Sequence, residues 1–572
     1  MSKAYPHYFE GRATATGDHA LGLNRVEYLT FGAIVLCAVM QAVLIFVQEI
    51  NWDEFYFLSL IYEHQRGELT KALQTIHVYL FGWLPMIDGN EIRQIEVARA
   101  FMLASELGIM ACIYGLSRLF VPRQSALIAV LAYASAGFVL LHGASFRADP
   151  IAAFLMMAAL VLIARSKLRF ADLMVAASMI ALAGLVTVKA VFYAPALIGL
   201  GLWRVVRSEY PASDFGKLAG LGLGALAIFG SLYWLHQSAL PAADLAGSEA
   251  MMSSAAQTTL LDVNFFPRMG DAIQGASLAF VQAILFFAGL FFAFREFAEN
   301  NKARTGIAVL FALAAPLLSF LFYRNAFPYY FAFIFPPAMV LVAFAAHRFS
   351  LSSRIWVALI AVMFLSSVLL FSRTLERDQE AQAQVVDAVH KIFPEPVAAI
   401  DRNSMIASFP KRGIFMSTWG LKDYRGKGDP IFADILQNDI VPLLILNSPS
   451  LEEAVGDKLT APLRARLLPT DRVVLSQNYI PHWGKIWVAG KKLNLGSVPV
   501  IVTILIPGTY QVESDFPVIF DGKEIAGGEV IHLGRGEYLL SSGQSQTAIL
   551  RWGKNLYRPT NKPADKPIYR GF

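Results

Sequence analysis

Residues 27–48 read EYLTFGAIVLCAVMQAVLIFVQ, and two residues later comes Asn51-Trp52-Asp53-Glu54-Phe55-Tyr56. A run of about 20 mostly apolar residues is long enough to cross a bilayer as a helix. Two adjacent acids among aromatics then stand where such a helix leaves the membrane. The apolar run decides the fold class, and the acids raise the question of chemistry.

The rest of the 572-residue chain repeats the first signal. It is 56% hydrophobic and only 16% charged, with a mean hydropathy of +0.50. Soluble domains carry about a quarter of their residues as charges. Candidate spans are 27–48, 96–120, 124–142, 149–165, 171–188, 191–207, 216–236, 273–294, 304–323, 328–346 and 355–372, about eleven in all. The polar leader before the first span has no small-residue cleavage signal after it, so that span is expected to be retained. The two cysteines, Cys37 and Cys112, both fall in apolar runs, which offers neither a disulfide framework nor a cysteine metal site. The net charge of +5 is scattered rather than striped, which argues against nucleic acid.

Lys and Arg set the orientation. Lys3, Arg12, Arg25; Arg118, Arg123; Arg165, Lys167, Arg169; Arg204, Arg207, Lys217; Arg295, Lys302, Arg304; and Arg348, Arg354 fall in alternate connections. That side is expected to be cytoplasmic, with the N-terminus inside and everything after about residue 373 outside. The outer segments are then 49–94, His142–Asp149, 237–271 and Tyr323–Phe327. Within the first, Glu68–Gln74 and Glu91–Glu96 look like amphipathic pieces at the interface.

The last 200 residues change character. Gln379–Phe393 predicts a helix, with short β-type runs at Val397–Ile400, Ile414–Ser417 and Val441–Leu446 and a helical pattern at Ile431–Gln437. From about residue 494 the pattern is strand throughout, with Asp521-Gly522 as a hairpin turn. The Pro- and Lys-rich stretch Arg558–Pro567 reads as a loose tail. The expected organisation is a transmembrane domain at 1–372, an extracytoplasmic α/β domain at 373–492, and a small β-sandwich with tail at 493–572.

Asn51-x-x-Glu54 fits a helix capping box, while a carboxylate at the membrane surface can act as general base on an acceptor hydroxyl. Both hold if the cap fixes the loop that presents Asp53. In Ser145-Phe146-Arg147-Ala148-Asp149-Pro150, Asp149 reads as a helix cap with Pro150 at the first helical position. Arg147 stands on the side that the positive-inside rule disfavours. Lys189 could snorkel to headgroups or bind a phosphate. Arg324 precedes Tyr329 and Tyr330, which also suit an interfacial aromatic belt. Lys71, His77 and Arg268 map to the same face. Basic groups there suit a phosphate leaving group, and a nearby carboxylate suits activation of a nucleophile. No nucleotide-binding fingerprint appears, which favours a lipid-linked phosphate donor.

At these residues the chain resembles the polytopic glycosyltransferases that use polyprenyl-phosphate sugars, the GT-C group that includes the protein O-mannosyltransferases and the lipid A aminoarabinose transferase. Asp53-Glu54 looks like the acidic pair of the first outer loop. Phe146 to Pro150 is similar to the group's Arg-x-Asp-Pro, Ala183 to Lys189 to its Gly-Leu-x-x-x-x-Lys, and Arg324 to Pro337 to its Arg-x-x-x-Tyr-Tyr-x-x-x-x-x-Pro. The Pro-Pro element of many bacterial members is missing from Leu73–Tyr79, where His77 or Lys71 stands instead.

The resemblance implies a polytopic α-helical membrane protein in a bacterial inner (plasma) membrane, with a periplasmic or extracellular C-terminal region. Catalysis would fall to Asp53 and Glu54. Donor-phosphate binding would fall to Arg147, Lys189, Arg324, Tyr329, Tyr330, Lys71 and His77. The partners would be a polyprenyl-phosphate-linked sugar, membrane lipids, and a glycolipid, polysaccharide or protein acceptor. No cofactor is required, though a divalent metal (Mg or Mn) has room at Asp53 and Asp149. Two rivals remain. A transporter or flippase would use a buried acid such as Glu106, which could instead pair with Arg99. A non-catalytic assembly protein would use the C-terminal β-region.

Overall fold

The computed structural model describes residues 23–241, 266–456 and 461–570. Lys3, Arg12 and most of the third outer segment lie outside the described residues. The chain forms two compact units: Met1–Gln48, His64–Leu84 and Glu96–Arg377 make the first, and Glu49–Glu63, Pro85–Ile95 and Asp378–Phe572 the second.

The first unit is helical. Among the described residues, nine helices are long and apolar enough to cross a membrane, and Phe170–Val186 is a shorter apolar one. The expected span 124–142 is broken into Arg123–Ala134 and Gly137–His142. This is a multi-pass integral membrane protein. Helix Arg25–Val47 starts at a full capping box, in which Asn24 Oδ1 accepts from Glu27 N–H and the Glu27 carboxylate accepts from Asn24 N–H. Arg123 then pairs with Glu27 at 2.8 Å. Helix Pro328–Arg348 is buried along nearly its whole length despite Pro336 and Pro337. Helix Phe280–Glu299 lies close against it at Gly289, where a Cβ would come within 2.3 Å of the Leu341 carbonyl. With no hydrophobic drive between helices in lipid, such small residues permit the close van der Waals contact that holds spans together. Phe287, Phe291 and Phe294 point away from the helix bundle, as lipid-facing side chains do.

The second unit is built on strands β1 (Ala399–Ile400), β2 (Leu443–Ile445), β3 (Tyr479–Trp483), β4 (Ile486–Leu495), β5 (Val500–Ile504), β6 (Gly508–Glu513), β7 (Val518–Phe520), β8 (Lys523–Ile525), β9 (Val530–Leu533), β10 (Gly536–Ser541) and β11 (Gln546–Trp552). One sheet runs β1-β2-β4-β11-β6-β9 with β3 also on β4, and a four-stranded sheet runs β5-β10-β7-β8. Only β1 and β2 pair in parallel among these strands. Inward residues such as Val502, Ile504, Val512, Leu540 and Leu550 form the core of the β-rich part. Asp521 and Gly522 take positive φ of 44° and 88°, as a tight hairpin between β7 and β8 requires. β4 straddles residue 492, so one sheet serves both the α/β and the all-strand stretches.

Several local expectations change. Glu68–Gln74 is not helical, and Glu91 instead begins the long helix Glu91–Ser117. Ile414–Ser417 is no strand, because Ser417 Oγ accepts from Gly420 N–H at 3.0 Å and caps helix Thr418–Lys427. The C-terminal stretch is tied down: Ala564 N–H donates to Gln384 at 3.1 Å, and Lys566 pairs with Asp378 at 3.0 Å.

Helix Glu380–Ile392 ends near an ion pair that carries a pH prediction. His390 Nε2 lies 2.8 Å from the buried Glu91 carboxylate, which also accepts from Ser408 Oγ at 2.6 Å. Burial alone would lower the His390 pKa, but the bond to Glu91 and its charge raise it above 6.5. The protonated form is therefore favoured by folding. Its contribution is complete below about pH 6.5, the ordinary histidine value, and is lost as pH rises through the raised value. The melting temperature of the purified protein should fall over that window, and H390Q should flatten the fall. An unchanged profile in H390Q would remove His390 as its source.

Candidate active site

In the first unit, three of the predicted residues meet around one carboxylate. Arg147 occupies the N-cap of helix Ala148–Arg165, and Asp149 sits in its first turn. Pro150 is therefore third in the helix, and Asp149 serves as an ion-pair centre rather than as the cap. Lys189 Nζ donates to Asp149 Oδ1, while Arg147 Nε lies 3.6 Å from Oδ2. Lys189 reaches this point because helix Phe170–Val186 stops at Thr187, whose hydroxyl accepts from Lys189 N–H at 3.4 Å. The Arg147 guanidinium lies 3.4 Å above the centroid of the Tyr329 ring. Lys189 Nζ is 5.4 Å from the same ring and 5.9 Å from that of Tyr330.

All of these groups are largely buried. Buried charges must be paired, and here two cations share one anion over an aromatic floor. The three groups carry a net charge of +1, with the cations already positioned and partly desolvated. A preorganised positive group of this kind suits a phosphate that gains charge as it leaves. Tyr323 packs on Tyr330 with ring centroids 4.8 Å apart. Burial first, and then the Asp149 charge, raise the Tyr323 hydroxyl pKa, so it stays a neutral donor.

The other donor-side residues fall differently. Tyr330 is fully buried and its hydroxyl bonds Ser319 Oγ at 2.5 Å, and of the two rings Tyr329 lies nearer the cations. Arg324 lies in the part-buried turn before helix Pro328–Arg348, and its carbonyl accepts from Arg268 Nε at 3.4 Å. Lys71 is exposed, whereas His77 is buried and begins the short helix His77–Leu80. Glu106 does not pair with Arg99. It accepts from Tyr133 Oη at 3.2 Å, while Arg99 donates to the carbonyls of Ile45 and Gln48.

Beside this cluster, helices Ala148–Arg165, Phe170–Val186, Ala194–Val206 and Pro211–Ala239 line an open apolar cavity of about 550 Å³. Its wall includes Gly184 and Ala190, which flank the break that carries Lys189.

Asp53 and Glu54 belong to the second unit, in the first turn of helix Trp52–Gln65. Asn51 Oδ1 accepts from Asp53 N–H at 3.0 Å, and the Glu54 carboxylate accepts from Asn51 N–H at 3.0 Å. The capping arrangement is therefore present. Glu54 is 1% exposed and holds the turn, whereas Asp53 remains partly exposed. A carboxylate that already serves a backbone N–H from a buried position fits positioning better than contact with an acceptor.

The metal question rests on Asp149 and Asp53. Both Asp149 oxygens face cations, so a metal there would have to displace at least one of them. Among the described residues no group of three or more His, Cys, Asp or Glu comes together as a metal site.

No family model matches the chain, and no curated protein matches it. Solved structures do. The archaeal oligosaccharyltransferase AglB from Archaeoglobus fulgidus, in complex with an inhibitory peptide and a dolichol-phosphate, matches over 94% of this chain and 98% of its own, with TM-score 0.53 and 11% identity. ArnT from Cupriavidus metallidurans bound to undecaprenyl phosphate matches over 77% of this chain and 96% of its own, with TM-score 0.52 and 15% identity. The chain has the GT-C fold. ArnT in its apo state has the same fold, at TM-score 0.52 and 14% identity over 82% of this chain and 98% of its own.

Within this GT-C fold, some groups near the predicted residues went unseen in the sequence. Arg402, Asn403 and Tyr569 surround Trp52, next to Asp53. The available signal was the polar run Asp401-Arg402-Asn403-Ser404 directly after a buried β-type run.

Proposed function

We propose that the chain is an inverting glycosyltransferase that moves a sugar from a polyprenyl-phosphate carrier to an acceptor hydroxyl outside the cytoplasm. Asp53 takes the hydroxyl proton, and the oxygen attacks the anomeric carbon. The bond from that carbon to the phosphate oxygen breaks, and the lipid phosphate leaves as an anion. Arg147 and Lys189 stabilise it, with Asp149 holding both cations in place and Tyr329 supporting Arg147. The observation that carries this reading is the shared carboxylate with its two cations on an aromatic floor. The apolar cavity beside Lys189 suits an isoprenoid chain. In support, one structure with the same fold holds undecaprenyl phosphate and another a dolichol-phosphate. The proposed setting is a bacterial inner membrane, with the C-terminal region periplasmic or extracellular.

Purified protein in lipid nanodiscs, given envelope extract and a pool of polyprenyl-phosphate sugars, should release polyprenyl phosphate. Mass spectrometry and NMR should find a product with inverted anomeric configuration. Proteoliposomes that move the lipid-linked sugar across the bilayer without forming a glycosidic bond would overturn the proposal in favour of a flippase.

A further inference from the structure

One group in the second unit stands out because its chemistry is unspent. Arg402 follows β1, and its guanidinium lies 4.0 Å above the centroid of the Trp52 ring. Trp52 is the residue before Asp53. Among the described residues, the Arg402 guanidinium makes no hydrogen bond and no ion pair; its one contact of this kind is the face of Trp52. It is partly exposed.

The loop around it is fixed. Arg402 N–H donates to Asn447 Oδ1 at 2.8 Å, and its carbonyl accepts from Met416 N–H at 2.9 Å. The buried Asp401 carboxylate accepts from the N–H groups of Ser404 and Met405, at 2.8 and 2.6 Å. Ser404 is held at a φ of 61°. Asn403 Nδ2 donates to the Trp52 carbonyl at 2.9 Å and to Tyr569 Oη at 3.1 Å. The Tyr569 ring meets Trp52 edge-on at 5.9 Å. Trp52 is thus clamped, and Arg402 is held over its ring by backbone contacts on both sides.

A guanidinium stacked on an indole keeps its in-plane N–H groups available, and those form the fork that matches phosphate or carboxylate. Stacking also removes rotational freedom before a ligand arrives. Burial lowers the Arg402 pKa, and Tyr569 and Asp53 oppose that; arginine stays charged in either case.

We infer that Arg402, stacked on Trp52 beside Asp53, binds an anionic group of the acceptor, so that the acceptor is a phosphate- or carboxylate-bearing molecule. The inference rests on Asp53 being the base of the proposed transfer. Arg402 is a binding and positioning residue: it holds the acceptor while Asp53 takes the proton.

The test uses full-length protein in nanodiscs with saturating undecaprenyl phosphate, so that Arg147 and Lys189 are occupied. Binding of glucose 6-phosphate, glucuronate and methyl glucoside is measured by calorimetry. One or both anionic sugars should bind more tightly than methyl glucoside, and the tighter arm identifies the anion. R402Q should weaken that binding at least tenfold and leave methyl glucoside unchanged. R402K, which keeps the charge but loses the planar, stacked fork, should fall between. A melting temperature matching wild type in R402K keeps the test valid if R402Q folds poorly. Equal anion binding in wild type, R402K and R402Q would overturn the inference. If anion binding needs Arg402 but D53N transfers sugar at the normal rate, the assignment of Asp53 fails on its own. If D53N abolishes transfer while anion binding ignores Arg402, only the inference fails.

Discussion

Replacing Asp53 by Asn is expected to lower sugar transfer by about 10²- to 10⁴-fold, the range that general-base catalysis supplies. Asn keeps the size of the side chain and cannot take a proton. The turn should survive, because Asn51 and Glu54 hold it through the Asp53 and Asn51 N–H groups, neither of which depends on the Asp53 carboxylate. Binding of undecaprenyl phosphate should stay near wild type, since the proposed phosphate contacts lie elsewhere in the chain. Turnover in D53N within threefold of wild type would sink the assignment. E54Q is the informative partner. It weakens the cap, so it should lower stability more than D53N does and transfer less.

The second large effect is at Lys189. K189M leaves a buried carboxylate with Arg147 as its remaining cation. Breaking a buried pair by removing one member costs about 3–5 kcal/mol, and Arg147 should hold the loss toward the lower end. Transfer should fall by about 10²-fold or more, the scale set by removing one electrostatic donor from a leaving group. K189M/D149N separates the two roles. Neutralising Asp149 removes the carboxylate that lost Lys189 but also the carboxylate that Arg147 faces, so it should restore only part of the melting temperature. It should not restore transfer, because the phosphate still lacks its cation. If the double variant regained both, the Lys189–Asp149 pair would be a structural ion pair and the phosphate assignment would fall.

The spans were legible because hydropathy depends on composition over about 20 residues, and lipid leaves a backbone few alternatives to a helix. The β-rich end was legible for a similar reason, since alternation and Asp521-Gly522 are local signals. The Asp149–Lys189 pair was not. Its members are 40 residues apart, and each had a sufficient local explanation, a cap for one and a snorkelling lysine for the other. Ile414–Ser417 looked like a strand by its apolar residues, but the serine at its end found a helix to cap. The tail was misjudged from its prolines and lysines, because bonds such as Lys566 to Asp378 depend on a partner far away in sequence. Arg402 was missed for the same reason: its meaning lies in Trp52, 350 residues earlier. Asp53 was singled out by sequence, but the tryptophan beside it became informative only once the loop that covers it was known.

The second unit is stitched from three pieces of chain, and this bears on when the protein can first act. Trp52 leaves the ribosome well before Asn403 and Tyr569, which clamp it. Ile50 likewise waits for Gln382, and Glu49 waits for Arg570. At synthesis rates of roughly 5–20 residues per second, the delay between Trp52 and Tyr569 is on the order of a minute. Over that interval the segment carrying Asp53 is without its clamp. On the proposed mechanism, a chain not yet synthesised through Tyr569 would hold Asp53 in an unassembled setting, and glycosyl transfer would wait for that residue.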